Sequence, residues 1–181
     1  MISGFNLIKA YMAHGERTLI IFKPDSVSRG IVGEILARFE KAGLKIVGTK
    51  MLQPNTEFFH HHYEKIGTMI TRHGQKIFDT TVEMMKAGPV VAVVLEGVDT
   101  VAVVRKMVGS TESKSALPGT IRGDYSHMSF AHADEQGIGL PNILHASGDV
   151  KEAEQEIKHW FSEQELFHYE NVHEKFTQTK K

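Results

Sequence analysis

The sequence predicts an α+β domain: one antiparallel sheet in βαββαβ order, with helices on one face. Three observations lead there. Four short apolar runs of strand length are spaced along the chain, at Thr18 to Phe22, Leu44 to Leu52, Val90 to Leu95 and Asn142 to His145. The segments between them carry apolar residues at helical spacing. The chain has 181 residues, the size of one domain, and no repeat or linker-like stretch marks a second. Periodicity alone also permits a small doubly wound α/β domain.

Each element has a local reason. Thr18 to Phe22 is a continuous apolar run halted by Pro24, as suits a buried strand. Ser26 and Ser28 are candidate caps for the next helix, in which Ile31, Ile35, Leu36 and Phe39 share a face and Gly43 supplies the stop. Pro54 closes the second strand, and Thr56 is a candidate cap for a helix holding Phe59 and Tyr63. A further helix is expected from Gln75 to Lys86, where Gly88-Pro89 breaks it. Val90 to Leu95 is the cleanest buried strand, and Asp99 starts an amphipathic helix over Thr100 to Met107. A long irregular stretch from Gly109 to Leu140 precedes the fourth strand; loops of that length are often functional. Ser147 or Asp149 opens a last helix ending near Trp160-Phe161.

Composition narrows the function classes. The formal net charge is -1, which gives no electrostatic case for nucleic acid or a membrane surface. No apolar run approaches the roughly 20 residues of a membrane helix. The absence of cysteine removes disulfides, thiol catalysis and thiolate metal sites, and fits a reducing cytoplasm. Residues 1–15 lack the pattern of a secretory signal and read as an N-terminal arm; residues 16–181 read as one domain. Beyond Phe161, aromatic and charged residues alternate. The first half of that tail is expected to pack on the domain or a neighbouring subunit, and the last residues to fray.

Several residues carry chemistry. His145 sits at a strand end with small neighbours, Ala146 and Ser147, and Glu156 follows within the next helix. A carboxylate that accepts from one imidazole nitrogen fixes the tautomer and leaves the other nitrogen nucleophilic. Lys23 closes an apolar strand, and Arg122 stands in a glycine turn, Pro118-Gly119-Thr120-Ile121-Arg122-Gly123-Asp124, where it could instead pair with Asp124. A lysine point charge and an arginine fork suit a phosphoryl group, whose transfer relies on positioning and cationic stabilisation. Unaided, Tyr63 reads as core. There is no GxxxxGK[ST] loop and no GxGxxG fingerprint. His60-His61-His62 reads as a solvated helix face rather than a metal site, since adjacent helical residues diverge. His127, His132 and Asp134 in the long loop are assigned no metal either.

The segments Glu16 to Asp25, Val104-Arg105-Lys106-Met107-Val108-Gly109-Ser110-Thr111, Pro118 to Asp124 and Asn142-Ile143-Leu144-His145-Ala146-Ser147, in this order, resemble the nucleoside diphosphate kinases from about Glu16 to Phe161. The resemblance implies the ferredoxin-like fold and settles the choice against the doubly wound one. It implies a kinase that passes the terminal phosphate of a nucleoside triphosphate to a nucleoside diphosphate in two ping-pong steps through phosphorylated His145. Glu156 would orient the ring and Ser147 support Glu156. Lys23, Arg105, Thr111 and Arg122 would contact phosphates, Lys23 and Asn142 the sugar, and Tyr63 would pack near the phosphates. Magnesium would arrive with the nucleotide. The family assembles from dimers, and the tail beyond Phe161 favours a hexamer over a tetramer.

The chain departs from the family pattern in places. Segments near 66–76 and 126–140 look inserted, and Leu140-Pro141-Asn142 replaces a common Gly-Arg-Asn. Gly148 stands where many members carry an acid near the metal; either Asp149, next in the chain, acts there through water, or the phosphates hold the ion almost alone. The base would stack near Ile77 or Phe78. Two rival readings remain at this point: a phosphohistidine relay to a protein acceptor, and a nucleotide-binding or nucleic-acid-binding regulator without catalysis.

Overall fold

The computed structural model describes residues 15–177. The expected N-terminal arm, apart from Gly15, and the last four residues lie outside the described residues. The sheet is built from β1 (Glu16–Phe22), β2 (Lys45–Leu52), β3 (Val90–Gly97) and β4 (Leu144–Ala146). The order across it is β2-β3-β1-β4, with every pairing antiparallel. This is the predicted α+β, ferredoxin-like arrangement. The fourth strand is shorter than expected: Asn142 and Ile143 lie before it. Ile143 takes a positive φ of 77°, a conformation that a β-branched side chain strongly disfavours and that ends strand pairing there.

Helices cover both faces of the sheet rather than one. In β1, Leu19, Ile20, Ile21 and Phe22 are all fully buried, so successive side chains pointing to opposite faces both meet core. Leu19, Ile21, Ala92 and Val94 pack with Phe59, Met85 and Trp160 on one side. Ile20, Phe22, Val93 and Leu95 pack with Ile35, Phe39 and Val104 on the other. The continuous apolar runs in the sequence were the signature of that double burial.

The connecting helices follow the predicted spacing, with other caps. After α1 (Pro24–Ser28), α2 (Val32–Lys41) buries Ile35 and Phe39 one turn apart, and Gly43, at φ 88°, turns the chain out. Neither Ser26 nor Ser28 caps α2; their hydroxyls donate to the carbonyls of Lys23 and Asp25. Asn55, not Thr56, caps α3 (Thr56–His60) by accepting from Phe58 N–H at 2.8 Å. A π-helical turn over His61–Ile66 follows, then α4 (Met69–His73) and α5 (Gln75–Lys86), the latter with its predicted bounds. Next comes α6 (Thr100–Val108). The long stretch expected to be irregular contains α7 (Ile121–Tyr125) and α8 (Phe130–Gln136).

Asp149 caps α9 (Val150–Trp160) by accepting from Glu152 N–H at 2.8 Å. Ala153, Glu156, Ile157 and Trp160 fall on its buried face, which delivers Glu156 inward. Beyond α9 the tail packs along β2: Phe167 N–H donates to the Val47 carbonyl at 2.7 Å, and Tyr169 Oη to the Ile46 carbonyl at 2.7 Å. The described part of the tail closes with a helical turn, α10 (Glu174–Thr177), and the last four residues, expected to fray, lie outside the described residues. No described helix is long and apolar enough to cross a membrane.

Candidate active site

A cavity of about 550 Å³ opens where β1 ends and β4 begins, and every predicted site residue except Ser147 lines it. Residues distant in sequence meet there for topological reasons. The pairing of β4 with β1 sets His145 opposite Ile21, next to the strand end that delivers Lys23.

His145 Nε2 lies 2.8 Å from Glu156 Oε1. The carboxylate can only accept, so the ring proton resides on Nε2 and Nδ1 keeps its lone pair. Ser147 Oγ donates to Glu156 Oε2 at 2.6 Å and accepts from Leu19 N–H at 3.2 Å, which ties the carboxylate to β1. Glu156 is 1% exposed. Burial alone would raise its pKa, but His145, by its charge and hydrogen bond, and the Ser147 hydroxyl hold it down at about 2. The three residues therefore form a buried relay: hydroxyl to carboxylate, carboxylate to imidazole. A neutral imidazole held in this way is a nucleophile.

The cationic side is equally ordered. Burial, followed by the charge of Arg122, lowers the Lys23 ammonium to about 8. Its Nζ donates to Asn142 Oδ1 at 2.6 Å, and Asn142 Nδ2 in turn donates to the Thr111 carbonyl at 2.7 Å. Arg122 does not pair with Asp124, whose carboxylate binds Arg38 at 2.8 Å. The Arg122 guanidinium instead reaches the carbonyls of Asn142, Gly109 and Leu144 at 3.2, 3.1 and 2.8 Å. Burial and the neighbouring Arg105 lower its pKa to about 10. Gly123 is required beside it, since a Cβ there would run into the Leu117 carbonyl. Arg105 Nη1 approaches the Ser147 carbonyl only at 3.5 Å, so its charge is largely free to face the cavity.

Some site residues escaped the sequence reading. Asp25 Oδ2 accepts from Ile143 N–H at 3.1 Å and helps hold that strained residue in front of His145. His62, expected on a solvated face, is 1% exposed, and its ring lies 4.8 Å from that of His145. Trp160 Nε1 donates to His62 Nδ1 at 3.2 Å. Polarity and periodicity could not separate His62 from His60 and His61; the π-helical turn, which shifts the buried face, does. Tyr63 belongs to both readings: it packs in the core near Phe59 and lines the cavity, and burial raises its hydroxyl pKa.

His62, His145 and Glu156 bring one potential ligand atom each within 4.8 Å of one another. The partners of His62 in this cluster come from β4 and α9 and not from the adjacent histidines. Even so, the Trp160 N–H occupies the Nδ1 lone pair of His62 and puts its proton on Nε2, which leaves that ring no lone pair for a metal. Asp149 is engaged in capping α9, and the carboxylate lining the cavity beside Gly148 is that of Glu152, whose Oε2 accepts from Gly148 N–H at 2.8 Å. Segments 66–76 and 126–140 meet at the same cavity, the first through Met69 and Arg72, the second through Phe130 and Ile138. Of the two expected stacking positions, Ile77 lines the cavity while Phe78 is buried in core.

Comparisons with known proteins agree with this geometry. The family model described as Nucleoside diphosphate kinase matches residues 16–166. The chain is 43% identical to a nucleoside diphosphate kinase of Pyrococcus furiosus over 166 residues, covering 92% of this chain and 95% of that one. Among solved structures, it resembles a transition-state mimic of the Borrelia burgdorferi nucleoside-diphosphate kinase with bound vanadate and ADP. The TM-score is 0.85 at 40% identity, covering 88% of this chain and 94% of that one. A halophilic nucleoside diphosphate kinase from Halobacterium salinarum, in complex with CDP, matches with a TM-score of 0.78 at 34% identity, covering 92% and 100%. A buried imidazole relay facing clustered cations, on this fold and with these relatives, has one reading: the chain belongs to the nucleoside diphosphate kinase family of phosphotransferases.

Proposed function

We propose that the chain moves the γ-phosphate of a nucleoside triphosphate onto nucleoside diphosphates through a phosphohistidine at His145. The observation that carries this reading is the Ser147–Glu156–His145 relay, which leaves Nδ1 of His145 bare beside the cavity. In the first step Nδ1 attacks the γ-phosphorus; the P–N bond forms as the bond to the β,γ-bridging oxygen breaks, and the nucleoside diphosphate leaves with that electron pair. Nδ1 has no proton to shed. The positive charge that develops on the ring is balanced by Glu156 through Nε2–H. A second nucleoside diphosphate reverses the step.

Lys23, Arg105, Arg122 and Thr111 take the phosphates and neutralise the charge spread over the transferring group. Asn142 and Lys23 take the sugar, and Tyr63 flanks the phosphates. Magnesium, when bound, draws charge from the phosphate oxygens. The residues fit it: Glu152 offers a carboxylate on the cavity wall beside Gly148 and would help hold the ion that the phosphates carry in. Segments 66–76 and 126–140 are read as insertions that border the base slot. A cysteine-free chain with no membrane-length helix among its described residues supports a cytoplasmic site of action. Exposed apolar residues on the tail, Phe167, Val172 and Phe176, support a homo-oligomer, a hexamer before a tetramer.

The test is stoichiometric labelling by ATP and magnesium. An acid-labile, alkali-stable phosphate that requires His145 and discharges onto GDP is the expected result. A label that survives His145→Ala overturns the nucleophile.

A further inference from the structure

Phosphoryl transfer by His145 does not itself call for a second buried imidazole, yet His62 stands against it with the two ring planes crossing at 83°. Its state is fixed by neighbours. The Trp160 indole N–H can only donate, so at 3.2 Å it marks His62 Nδ1 as the acceptor and puts the proton of the neutral ring on Nε2. Burial lowers the ring's pKa to about 3, against the opposing pull of Glu156 and with smaller lowering from His145, His159 and His61. His62 is therefore neutral across the physiological range.

That state matters to Glu156. Oε1 lies 2.8 Å from His145 Nε2 and 3.5 Å from His62 Nδ1, so the two imidazoles flank one carboxylate oxygen. The longer contact is not an ion pair, because the nitrogen that His62 turns toward the carboxylate bears no proton. With a proton on Nδ1, as in the other tautomer or the charged ring, His62 would compete for Oε1 and loosen its hold on His145.

We propose that His62 is a positioning residue: capped by Trp160, it forms a neutral wall that denies Glu156 a second imidazole donor, so the carboxylate serves His145 Nε2–H alone and Nδ1 stays bare for phosphorus. The inference rests on the reading of His145 as nucleophile and adds a tautomer lock two residues deep, Trp160 to His62.

The experiment is nitrogen-15 NMR of the imidazoles in the full chain, paired with rapid-quench phosphorylation by ATP and magnesium. In the wild type, His62 and His145 should each show a protonated Nε2 and a bare Nδ1. Trp160→Phe keeps an aromatic ring but removes the donor. It should give mixed His62 and His145 tautomers and slow phosphorylation about tenfold, the scale of one lost hydrogen-bond preference, with nucleotide affinity unchanged. His62→Ala should lose rate similarly. His62→Asn, whose amide oxygen can accept from Trp160, should recover most of the loss.

A wild-type His62 protonated on Nδ1 overturns the proposal whether or not any variant folds. So does a Trp160→Phe protein with unchanged tautomers and rate. If the wild type takes up no phosphate, the phosphohistidine reading fails, and the wild-type tautomers still decide the lock.

Discussion

Replacing Glu156 with Gln tests how much of the relay is charge and how much is shape. The two side chains have nearly the same volume, and the site is 1% exposed, so packing around Trp160 and Ile157 should survive. The amide oxygen can take the place of Oε1 and accept from His145 Nε2, now 2.8 Å from a carboxylate oxygen. The amide NH2 would then face Ser147 Oγ, which can accept in place of its present donation at 2.6 Å. The tautomer is preserved and only the charge is lost. A hydrogen bond to a charged acceptor contributes about 1.5–3 kcal/mol and a neutral one about 0.5–1.5. The difference, about 1–1.5 kcal/mol, corresponds to a rate loss of about tenfold if it acts on the transition state, where the ring charge develops. Rapid-quench measurement of His145 phosphorylation at saturating ATP is the assay. A Gln variant within twofold of the wild type would refute the electrostatic role. A loss beyond about a thousandfold would mean that the carboxylate takes a proton itself.

Other consequences follow from the same structure. Lys23, lowered to about 8 by burial and Arg122, should be raised again by bound phosphates, so binding takes up a proton above that pH and ADP affinity falls as pH rises through 8. Calorimetric titration checks this, and affinity equal on both sides of pH 8 contradicts it. In the free protein the sign is fixed too. The unfolded chain binds more protons at Lys23 between about 8 and 10.5, so this residue's share of stability rises with pH across that window. Glu156, lowered from 4.5 to about 2, supports folding above the upper value, and its contribution fades as pH falls through the lower one. The stability gap between the wild type and Glu156→Gln should therefore close in acid, and urea unfolding at several acidic pH values would expose a gap that stays constant. Arg122→Lys cannot span the three carbonyls its guanidinium joins, and should cost at least about 1 kcal/mol of stability without nucleotide. An unchanged unfolding midpoint argues against the clamp. Phe39→Ala empties a fully buried site on the α2 face of the sheet and should cost about 3–5 kcal/mol by urea unfolding, with His145 phosphorylation preserved where the protein remains folded.

Much of this protein was legible in its sequence because the deciding physics was local. The run Thr18 to Phe22 has few ways to satisfy itself other than as a buried strand, and Pro24 and Gly43 stop elements through their own backbone preferences. Asp149 caps α9 because its acceptor and the Glu152 N–H are three residues apart. Glu156 faces His145 because helical periodicity puts it on the buried side with Ile157 and Trp160. Tertiary structure decided what depended on distant partners. The continuous apolar runs call for cover on both faces of the sheet, but that α2 and α6 supply it on one side and α5 and α9 on the other is set by how the helices pack. Arg122 turned to carbonyls on either side of the strained Ile143 and at the end of α6, Asp25 came to hold Ile143, and Glu152 reached the cavity in place of Asp149. His62 is the sharpest case. In sequence it is one of three adjacent histidines; in the folded chain the Trp160 indole, 98 residues away, decides which of its nitrogens carries the proton. Hydrogen-bond direction is set by the partner that arrives, and only the fold brings the partner.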